Sequence, residues 1–522
     1  ATVAAVEKFI PPSPAELGFD PAELRRRYAL EREKRLRPDG NAQYLEISGD
    51  LQHFSDDPYL ESKLTRAPLH EEIDCAIIGG GFGGLLASAH LQKAGLGDFR
   101  IIEKAGDFGG TWYWNRYPGA QCDIESYIYL PLLEEVGYIP REKYSYGPEI
   151  LEHAQRVGRH FDLYSRACFQ TQVKTMRWDD DVGRWIIHTD RDDILRARFV
   201  IMSSGPLCRP KLPGIPGIET FQGHTFHTSR WDYGYTGGDS TGNLHKLHDK
   251  RVGVIGTGAT AIQCVPYLGQ YAQQLYVFQR TPSSIDLRGN RPTDPAWVQS
   301  LTPGWHARRN LNFVSILSGI PQDEDLVGDR WTDLFKALAK LLSGAGASAM
   351  NPADFALLSE IADYRKMNEI RARVAATIHN PAIAEALKPW YRQGCKRPTF
   401  NDEFLPTFNR PNVALVDTEG RGVERVAAHS VMVNGVEYPV DCLIFATGFE
   451  VGTAYTRRAE FEVFGRHGQS LTEYWASGMR TFHGFYSHGF PNCFHMGLTQ
   501  TGLAPNFTYM LNGQANHIAY VI

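Results

Sequence analysis

A glycine-rich turn between two short apolar runs constrains this chain more than any other feature. The stretch from Ile73 to Glu103 reads as strand, turn, helix and strand, with Gly79, Gly81 and Gly84 in the pattern G-x-G-x-x-G. In a dinucleotide-binding unit the first glycine permits the tight turn, the second lets backbone approach a pyrophosphate, and the third lets the helix pack on the strand. The stretch predicts such a site; a glycine-rich turn in another fold is the alternative.

A second unit of the same kind lies downstream. The strand-like run Arg251–Ile255 is followed by Gly256 and Gly258 in the pattern G-x-G-x-x-A, a helix-like run and the strand Leu275–Phe278. Two such units in one chain predict two nucleotides bound by one polypeptide.

The residue that follows each second strand selects the nucleotide. Glu103 lies about 20 residues past its last glycine, where a carboxylate accepts a hydrogen bond from a ribose 2′-hydroxyl, so the first site prefers FAD or NAD. The second unit has Arg280 near this position, and a guanidinium binds a 2′-phosphate that a carboxylate would repel. A flavin in the first site and NADPH in the second is the economical interpretation; a surface Arg280 without a ligand is the alternative.

The chain is 522 residues long, enough for two to four domains. We predict an α/β fold with two Rossmann-like dinucleotide-binding domains and a helical insertion. Two apolar strands that end in small residues, at Arg198–Pro206 and Asp441–Phe449, indicate chain crossings. The expected divisions are an N-terminal extension at 1–70, an FAD-binding domain at 71–205 and 441–522, an NADPH-binding domain at 206–286 and 393–440, and the insertion at 287–392.

Composition excludes several classes of function. The formal charge is −5 and no basic block stands out, so nucleic acid is not an expected partner. No uninterrupted apolar stretch reaches membrane-spanning length, and the N-terminus lacks the pattern of a secretory signal. The eight cysteines form no C-x-x-C pair, which argues against a disulfide framework or a zinc site. We expect no metal and a cytoplasmic enzyme with reduced thiols.

Two further segments carry candidate site residues. The loop from Gly109 to Asp123 contains Thr111, Trp112 and other large aromatics, which could wall a flat ring system or simply pack in the core. Asp123 by itself is more often a cap or an ion-pair partner. The turn around Lys396 and Arg397 has two adjacent cations between glycine and proline, and a solvated basic turn is the alternative there.

Phe221, Gly223, His227 and Trp231 fall in the pattern F-x-G-x-x-x-H-x-x-x-W-D, just before the second nucleotide unit. This long pattern resembles the fingerprint of the Baeyer–Villiger monooxygenases. With the two glycine motifs, the aromatic loop and the ATGF run at 446–449, the resemblance covers about residues 70–522. The N-terminal extension is similar to that of the subgroup with polycyclic ketone and steroid monooxygenases.

The resemblance implies an activity and its partners. In such enzymes NADPH reduces FAD, O₂ adds to the flavin C4a, and the peroxide attacks a ketone, which becomes an ester or lactone. We expect a bulky or cyclic ketone as the small-molecule substrate and a monomeric protein.

The resemblance also implies residue roles. Arg397 matches the active-site arginine and Asp123 its partner carboxylate, which together form the expected catalytic pair. His227 lies on the linker between domains, where a structural role is expected. Gln121 stands where many members carry an arginine, which alters the expected pocket charge. Cofactor-binding positions are expected at Gly79, Gly81, Gly84, Glu103, Thr111, Trp112, Asp123, Gly256, Gly258, Thr260, Arg280, Thr281 and Lys396, with Arg280, Thr281 and Lys396 on the 2′-phosphate.

Three alternatives remain beside this interpretation. An N- or S-oxygenating flavin monooxygenase shares the two nucleotide folds, but it needs no cation such as Arg397. A disulfide reductase would need a redox cysteine pair after the first unit, and Cys122 has no close partner. A non-catalytic NADP-binding redox protein would not need Arg397 and Asp123.

Overall fold

Two sheets, one for each glycine-rich unit, organise the computed structural model; the larger is mixed and the smaller is parallel. The structure describes residues 10–344, 351–502 and 504–522. The first nine residues of the expected extension and residues 345–350 of the expected insertion lie outside these ranges.

The larger sheet has eight strands within the described residues. In spatial order seven of them are Glu462–Phe464, Val173–Asp179, Arg184–Thr189, Ile194–Met202, His70–Ile78, Phe99–Ile102 and Ala167–Cys168. The eighth, Cys493–His495, pairs with the same strand, Ile194–Met202, that pairs with His70–Ile78. Cys75, Ala76 and Ile77 are fully buried, as expected for a central strand covered on both faces.

Two long helices cover one face of this sheet. Phe82–Lys93 follows the glycine turn directly, and Phe507–Val521 from the far end of the chain packs beside it. Leu85 and Leu86 of the first helix and Ile518 of the second belong to one buried cluster with the sheet. This packing brings the last described segment back to the first nucleotide unit.

The smaller sheet is fully parallel. Its five strands, in spatial order, are Val413–Asp417, Gln274–Gln279, Arg251–Ile255, Cys442–Phe445 and His224–His227. The helix Ala259–Tyr271 follows the second glycine turn and packs on this sheet through Ile262, Val265 and Leu268.

One strand lies in a different sheet from the one expected. The boundary at residue 441 placed Cys442–Phe445 in the first domain, but this strand pairs in register with Arg251–Ile255 of the second sheet. Cys442, Leu443 and Ile444 are fully buried, and a short apolar strand is suited to the middle of either sheet. The pattern therefore predicted a buried strand without specifying its neighbour.

Helices fill the region between the strand Gln274–Gln279 and the basic turn. They are Pro295–Ser300, Trp305–Leu317, Asp333–Gly344, Pro352–Thr377 and Pro381–Leu387. In the sequence, apolar residues at helical spacing with charges between them predict helices over residues 331–342 and 352–377. In the structure the first helix begins and ends two residues later, and the second has the predicted ends. Asn351 accepts hydrogen bonds from the backbone N–H groups of residues 353 and 354, which explains why the helix Pro352–Thr377 begins there.

The N-terminal extension lies against the second nucleotide domain and the helical region. In the sequence, the charged stretch at residues 22–37 predicts a helix. The helix forms at Pro21–Glu33 with Asp20 as its cap. Tyr44–Leu45 then pairs with Leu212–Pro213 in an antiparallel bridge. Arg25 of the helix forms an ion pair with Glu360 of Pro352–Thr377.

Short elements complete the fold. The remaining helices are Pro14–Leu17, Thr111–Trp114, Ser126–Tyr129, Leu133–Val136, Gly147–His160, Tyr233–Thr236, Phe404–Thr407, Tyr455–Ala459 and Leu471–Tyr474. The remaining strands are Ile285–Asp286, paired with Thr399–Phe400, and the three-stranded sheet Arg425–Val426, Ser430–Val433 and Val436–Pro439. Within the described ranges no helix combines the length and apolarity that a bilayer crossing requires.

The third glycine of the first motif yields a stability prediction. A Cβ at Gly84 would lie 1.9 Å from the Gly79 carbonyl oxygen, so Gly84→Ala should lower the free energy of unfolding by about 3 kcal/mol. Thermal unfolding checks this against Gly97→Ala, where the nearest atom to an added Cβ lies 3.8 Å away. Equal midpoints for the two variants would contradict the close helix–strand contact.

Candidate active site

The first glycine turn borders a cavity at the carboxyl end of the larger sheet. Gly79, Gly81, Glu103, Thr111 and Trp112 all line it. Gly79 has φ +113°, and a Cβ there would lie 2.1 Å from the Ser203 carbonyl oxygen, so only glycine is suited to this turn. Gly84 lies beneath the turn and serves packing.

Free backbone donors lie at the start of the helix beside this cavity. Gly81 precedes Phe82–Lys93, and among the described residues no side chain caps that helix. Gly81, Phe82 and Gly83 line the cavity. Uncapped N–H groups at a helix start suit a pyrophosphate.

Glu103 ties the second strand of the unit to the glycine turn. Its carboxylate is buried and accepts hydrogen bonds from the backbone N–H groups of Gly80 at 2.6 Å and Ala105 at 2.7 Å. Burial raises the pKa of Glu103, while these two bonds favour the charged form. Each oxygen retains acceptor capacity, as a ribose hydroxyl requires.

The aromatic loop has a divided role. Trp112 and Trp114 line the first cavity, whereas Tyr113 is buried and donates to Asp57 at 2.7 Å. Trp112 Nε1 donates to the Tyr129 hydroxyl at 2.9 Å. The loop thus contributes both a cavity wall and core packing, the two interpretations that the sequence left open.

A second, larger cavity of about 1940 Å³ lies along the smaller sheet. Thr111, Trp112 and Tyr129 line both cavities, so the two spaces meet at these side chains. The predicted residues that line the second cavity are Asp123, Gly256, Gly258, Thr260, Arg280, Thr281, Lys396 and Arg397. A ligand in each cavity would therefore come together beside Thr111 and Trp112.

Asp123 is held between two guanidinium groups. Its Oδ2 pairs with Arg397 Nη2 at 2.7 Å, and its Oδ1 accepts from Arg288 Nη2 at 2.7 Å. Arg288 and Asp123 are each 4% exposed in their side chains, whereas Arg397 is 58% exposed and lines the cavity. One cation is thus buried behind the carboxylate, and the other projects into the open space.

The surroundings fix this arrangement. Arg288 also donates to the Cys122 carbonyl oxygen, and Trp331 Nε1 donates to the Asp123 carbonyl oxygen at 3.0 Å. Gln121 also lines the second cavity, and its side-chain amide donates to the Tyr144 carbonyl oxygen at 2.8 Å. The second cation beside Asp123 therefore comes from residue 288.

A cationic cluster lies at the selector position of the second unit. Lys396 Nζ donates to the Thr281 carbonyl oxygen at 3.0 Å and to Ser283 Oγ at 2.9 Å. Burial, followed by the charges of Arg35 and Arg280, lowers the pKa of Lys396 to about 7. Cations brought together against their repulsion favour a bound anion.

The fingerprint residues brace the smaller sheet. His227 is fully buried; its Nδ1 accepts from the Ser229 N–H at 3.2 Å and its Nε2 donates to the Gly448 carbonyl oxygen at 3.0 Å. Burial lowers the pKa of His227 to about 3, so the ring is neutral. Trp231 is buried and donates to Thr236 at 3.1 Å. These contacts favour the structural role expected for His227.

The other two fingerprint residues pack beside the same strand. A Cβ at Gly223 would lie 2.6 Å from the Asp441 carbonyl oxygen, and Phe221 packs on the apolar cluster between the sheet and the extension. The fingerprint thus specifies how the chain enters the smaller sheet rather than a reacting group.

Two arginines at the site, Arg288 and Arg35, were not predicted from the sequence. Arg288 follows a two-residue strand without a motif, and Arg35 is one of many charges in its segment. Their site contacts come from distant segments, so local spacing carried no signal for them. Groups of His, Cys, Asp and Glu suited to a metal are absent from the described part of the chain.

Relatives of the chain span nearly its whole length. Residues 76–298 match the family described as pyridine nucleotide-disulphide oxidoreductase. The chain is 54% identical over 502 residues to neopentalenolactone D synthase of Streptomyces avermitilis, covering 96% of this chain and 84% of that protein. It is 50% identical over 506 residues to a Baeyer–Villiger monooxygenase of Streptomyces coelicolor, covering 96% and 83%.

A solved structure matches at similar coverage. The polycyclic ketone monooxygenase from the thermophilic fungus Thermothelomyces thermophila has a TM-score of 0.87 at 40% identity, over 96% of this chain and 84% of that one. All eight cysteines of this chain are free in the structure.

Proposed function

Since the chain belongs to the family of Baeyer–Villiger monooxygenases, we propose that it converts a bulky cyclic ketone to an ester or lactone through Arg397. The chain is an FAD- and NADPH-dependent enzyme. When bound, FAD accepts electrons from NADPH and activates O₂. The observation that carries the proposal is the Arg397–Asp123 pair. This pair lines the second cavity, and the second cavity shares part of its wall with the first.

The first cavity suits FAD. The open turn at Gly79 and Gly81 leaves no side chain where a pyrophosphate would approach, and Glu103 offers acceptor capacity for ribose hydroxyls. Thr111 and Trp112 would flank the flavin end, because they line the wall where the cavities meet.

The second cavity suits NADPH. A Cβ at Gly258 would meet nothing within 4 Å, and no side chain caps the helix Ala259–Tyr271 that begins there. Arg280 and Lys396 would hold the 2′-phosphate, and Thr260 would lie at the helix start. Phosphate charge at this point would relieve the repulsion that lowers the pKa of Lys396.

Arg397 would act by charge. Its guanidinium is a cation that can stabilise negative charge that develops on oxygen during attack on the ketone carbonyl. Asp123 positions Arg397, and Arg288 holds the other oxygen of the same carboxylate. An exposed cation fixed from behind keeps its orientation without a reorganisation cost.

The size and lining of the second cavity support a bulky substrate. A volume of about 1940 Å³ exceeds the 300–1,000 Å³ typical of single-ligand pockets. Apolar walls suit a polycyclic hydrocarbon skeleton; they include Val314, Leu317, Leu334, Phe335 and Phe400. The cytoplasmic location and the monomeric state stay predictions.

Removing the exposed cation tests the proposal directly. In Arg397→Ala, NADPH should still bleach the flavin, while ester formation should fall by about 10²–10³-fold because the charge stabilisation is lost. Stopped-flow absorbance follows the flavin, and mass spectrometry follows a product heavier by one oxygen. Arg330→Ala, which removes an exposed cation elsewhere in the cavity, should stay within about twofold of the parent chain.

Unchanged ester yield in Arg397→Ala would contradict this role. A panel from small cyclic ketones to polycyclic ketones, run with amine and sulfide controls, checks the substrate class. Oxidation of the amine or sulfide beside an intact ketone would favour the N- or S-oxygenating alternative.

Arg288, the buried cation, should affect ester formation through Asp123, the carboxylate that it holds. Arg288→Met leaves Asp123 free to move, so we expect about tenfold less ester per NADPH consumed, with hydrogen peroxide accounting for the difference. Flavin reduction should be unchanged. Arg288→Lys should restore part of the ester yield, and Arg291→Met, which removes a nearby exposed cation, should have no effect. Equal loss in reduction and ester formation would indicate a general structural defect instead.

The lowered pKa of Lys396 predicts a pH dependence. The amine is charged below pH 7 and loses its proton above it, whereas a bound 2′-phosphate favours the charged form. NADP⁺ affinity should therefore fall with rising pH above 7, by up to about tenfold per unit, while NAD⁺ affinity should not. Calorimetric titration from pH 6.5 to 9 measures both. Lys396→Met should flatten the NADP⁺ curve, and parallel curves for the two nucleotides would contradict the assignment.

A further inference from the structure

The N-terminal extension forms one wall of the second cavity. The helix Pro21–Glu33 contributes Arg25, Tyr28 and Arg32 to the lining, and Arg35 follows just after the helix ends. The antiparallel bridge at Tyr44–Leu45 and the ion pair of Arg25 with Glu360 hold the segment in place. The wall is therefore part of the folded body rather than an appended tail.

Arg35 is anchored but only partly used. Its Nη1 donates to the Glu31 carbonyl oxygen at 2.9 Å, and its Nη2 lies 3.4 Å from the Glu31 carboxylate. Within the described residues its Nε is buried and has no hydrogen-bond partner. A guanidinium carries five N–H donors, so this one can still bind a ligand.

Arg35 and Arg280 approach the same loop from two sides. A Cβ at Gly420 would lie 3.1 Å from Arg35 Cγ, and one at Gly422 would lie 3.8 Å from Arg280 Cδ. The extension also holds Arg280, because Arg280 Nη1 donates a hydrogen bond to Gln43 Oε1 at 2.8 Å. Two residues of the extension thus shape the cationic cluster.

The charges around this cluster leave room for an anion. Arg35 and Arg280 both act on Lys396, the third cation. Of the carboxylates on the same loop, Glu419 pairs with Arg421 at 3.0 Å. Asp417 accepts from Gln279 and the Glu419 N–H, and the charge of Arg35 also acts on it. Within the described residues neither Arg280 nor Lys396 pairs with a carboxylate, and Arg35 shares the Glu31 carboxylate with Arg27 and Lys34, so positive charge exceeds negative charge at the cluster.

We propose that Arg35 of the N-terminal extension is a third ligand of the 2′-phosphate of NADPH and determines, with Arg280 and Lys396, the preference for NADPH over NADH. This inference rests on the proposed function, because it requires NADPH in the second cavity. A guanidinium matches the geometry of a phosphate and can share it with a second guanidinium. Selection of the nucleotide would then depend on a segment outside both Rossmann-like domains.

Binding of two small probes tests the inference without turnover. Isothermal titration of the flavin-loaded protein with 2′,5′-ADP and 5′-AMP, at pH 6.5 where Lys396 is mostly charged, isolates the contact with the 2′-phosphate. Arg35→Met should weaken 2′,5′-ADP binding by about tenfold, because a charge-assisted bond is lost, and should leave 5′-AMP binding unchanged. Arg35→Lys should recover part of the loss.

Lys34→Met is the matched control. Lys34 also pairs with Glu31, at 2.9 Å, but does not line the cavity, so this variant should bind both probes like the parent chain. Equal weakening by Lys34→Met and Arg35→Met, or no effect of Arg35→Met, would overturn the inference. If Arg280→Met lost the preference for 2′,5′-ADP over 5′-AMP and Arg35→Met kept it, the inference about Arg35 would be wrong. The proposed NADPH site would still hold. No preference of the parent chain for 2′,5′-ADP would overturn both.

Discussion

A single buried carboxylate holds the site together. Asp123 comes from the loop after the first nucleotide unit, Arg288 from the start of the helical region and Arg397 from the turn that follows that region. Taking such charges out of water costs several kcal/mol per ion unless each is paired. Each oxygen of Asp123 has its own guanidinium, so the three segments are stable only when they come together.

The same arrangement explains why Arg397, the proposed reactive cation, can be exposed. A lone arginine at a cavity wall would sample many rotamers, and ordering it costs free energy. Arg397 is held at one end by Asp123, whose position is fixed by Arg288 and by the bond from Trp331 to its backbone. The buried pair therefore provides the rigidity, and the exposed side of Arg397 provides the charge.

Local features of the fold could be predicted from the sequence, and long-range ones could not. The glycine turn at Gly79 and the helix Pro352–Thr377 depend on neighbours a few residues away, and both form where the pattern predicts. Arg288 meets Asp123 across 165 residues, and the charge of Arg35 acts on Lys396 across a still longer separation. Strand Cys442–Phe445 has a pattern that suits either sheet, so only its hydrogen bonds identify its partner.

The two proposed nucleotide sites would select by different physics, and this difference would suit their proposed roles. Glu103 acts inside a closed wall through hydrogen bonds whose geometry is fixed by Gly80 and Ala105. The second site acts through cations at the edge of a large cavity, where solvent and salt weaken the attraction. A nucleotide held by buried hydrogen bonds dissociates slowly, whereas one held by screened charge can exchange in each turnover. That asymmetry is what a resident flavin and a consumed nicotinamide require.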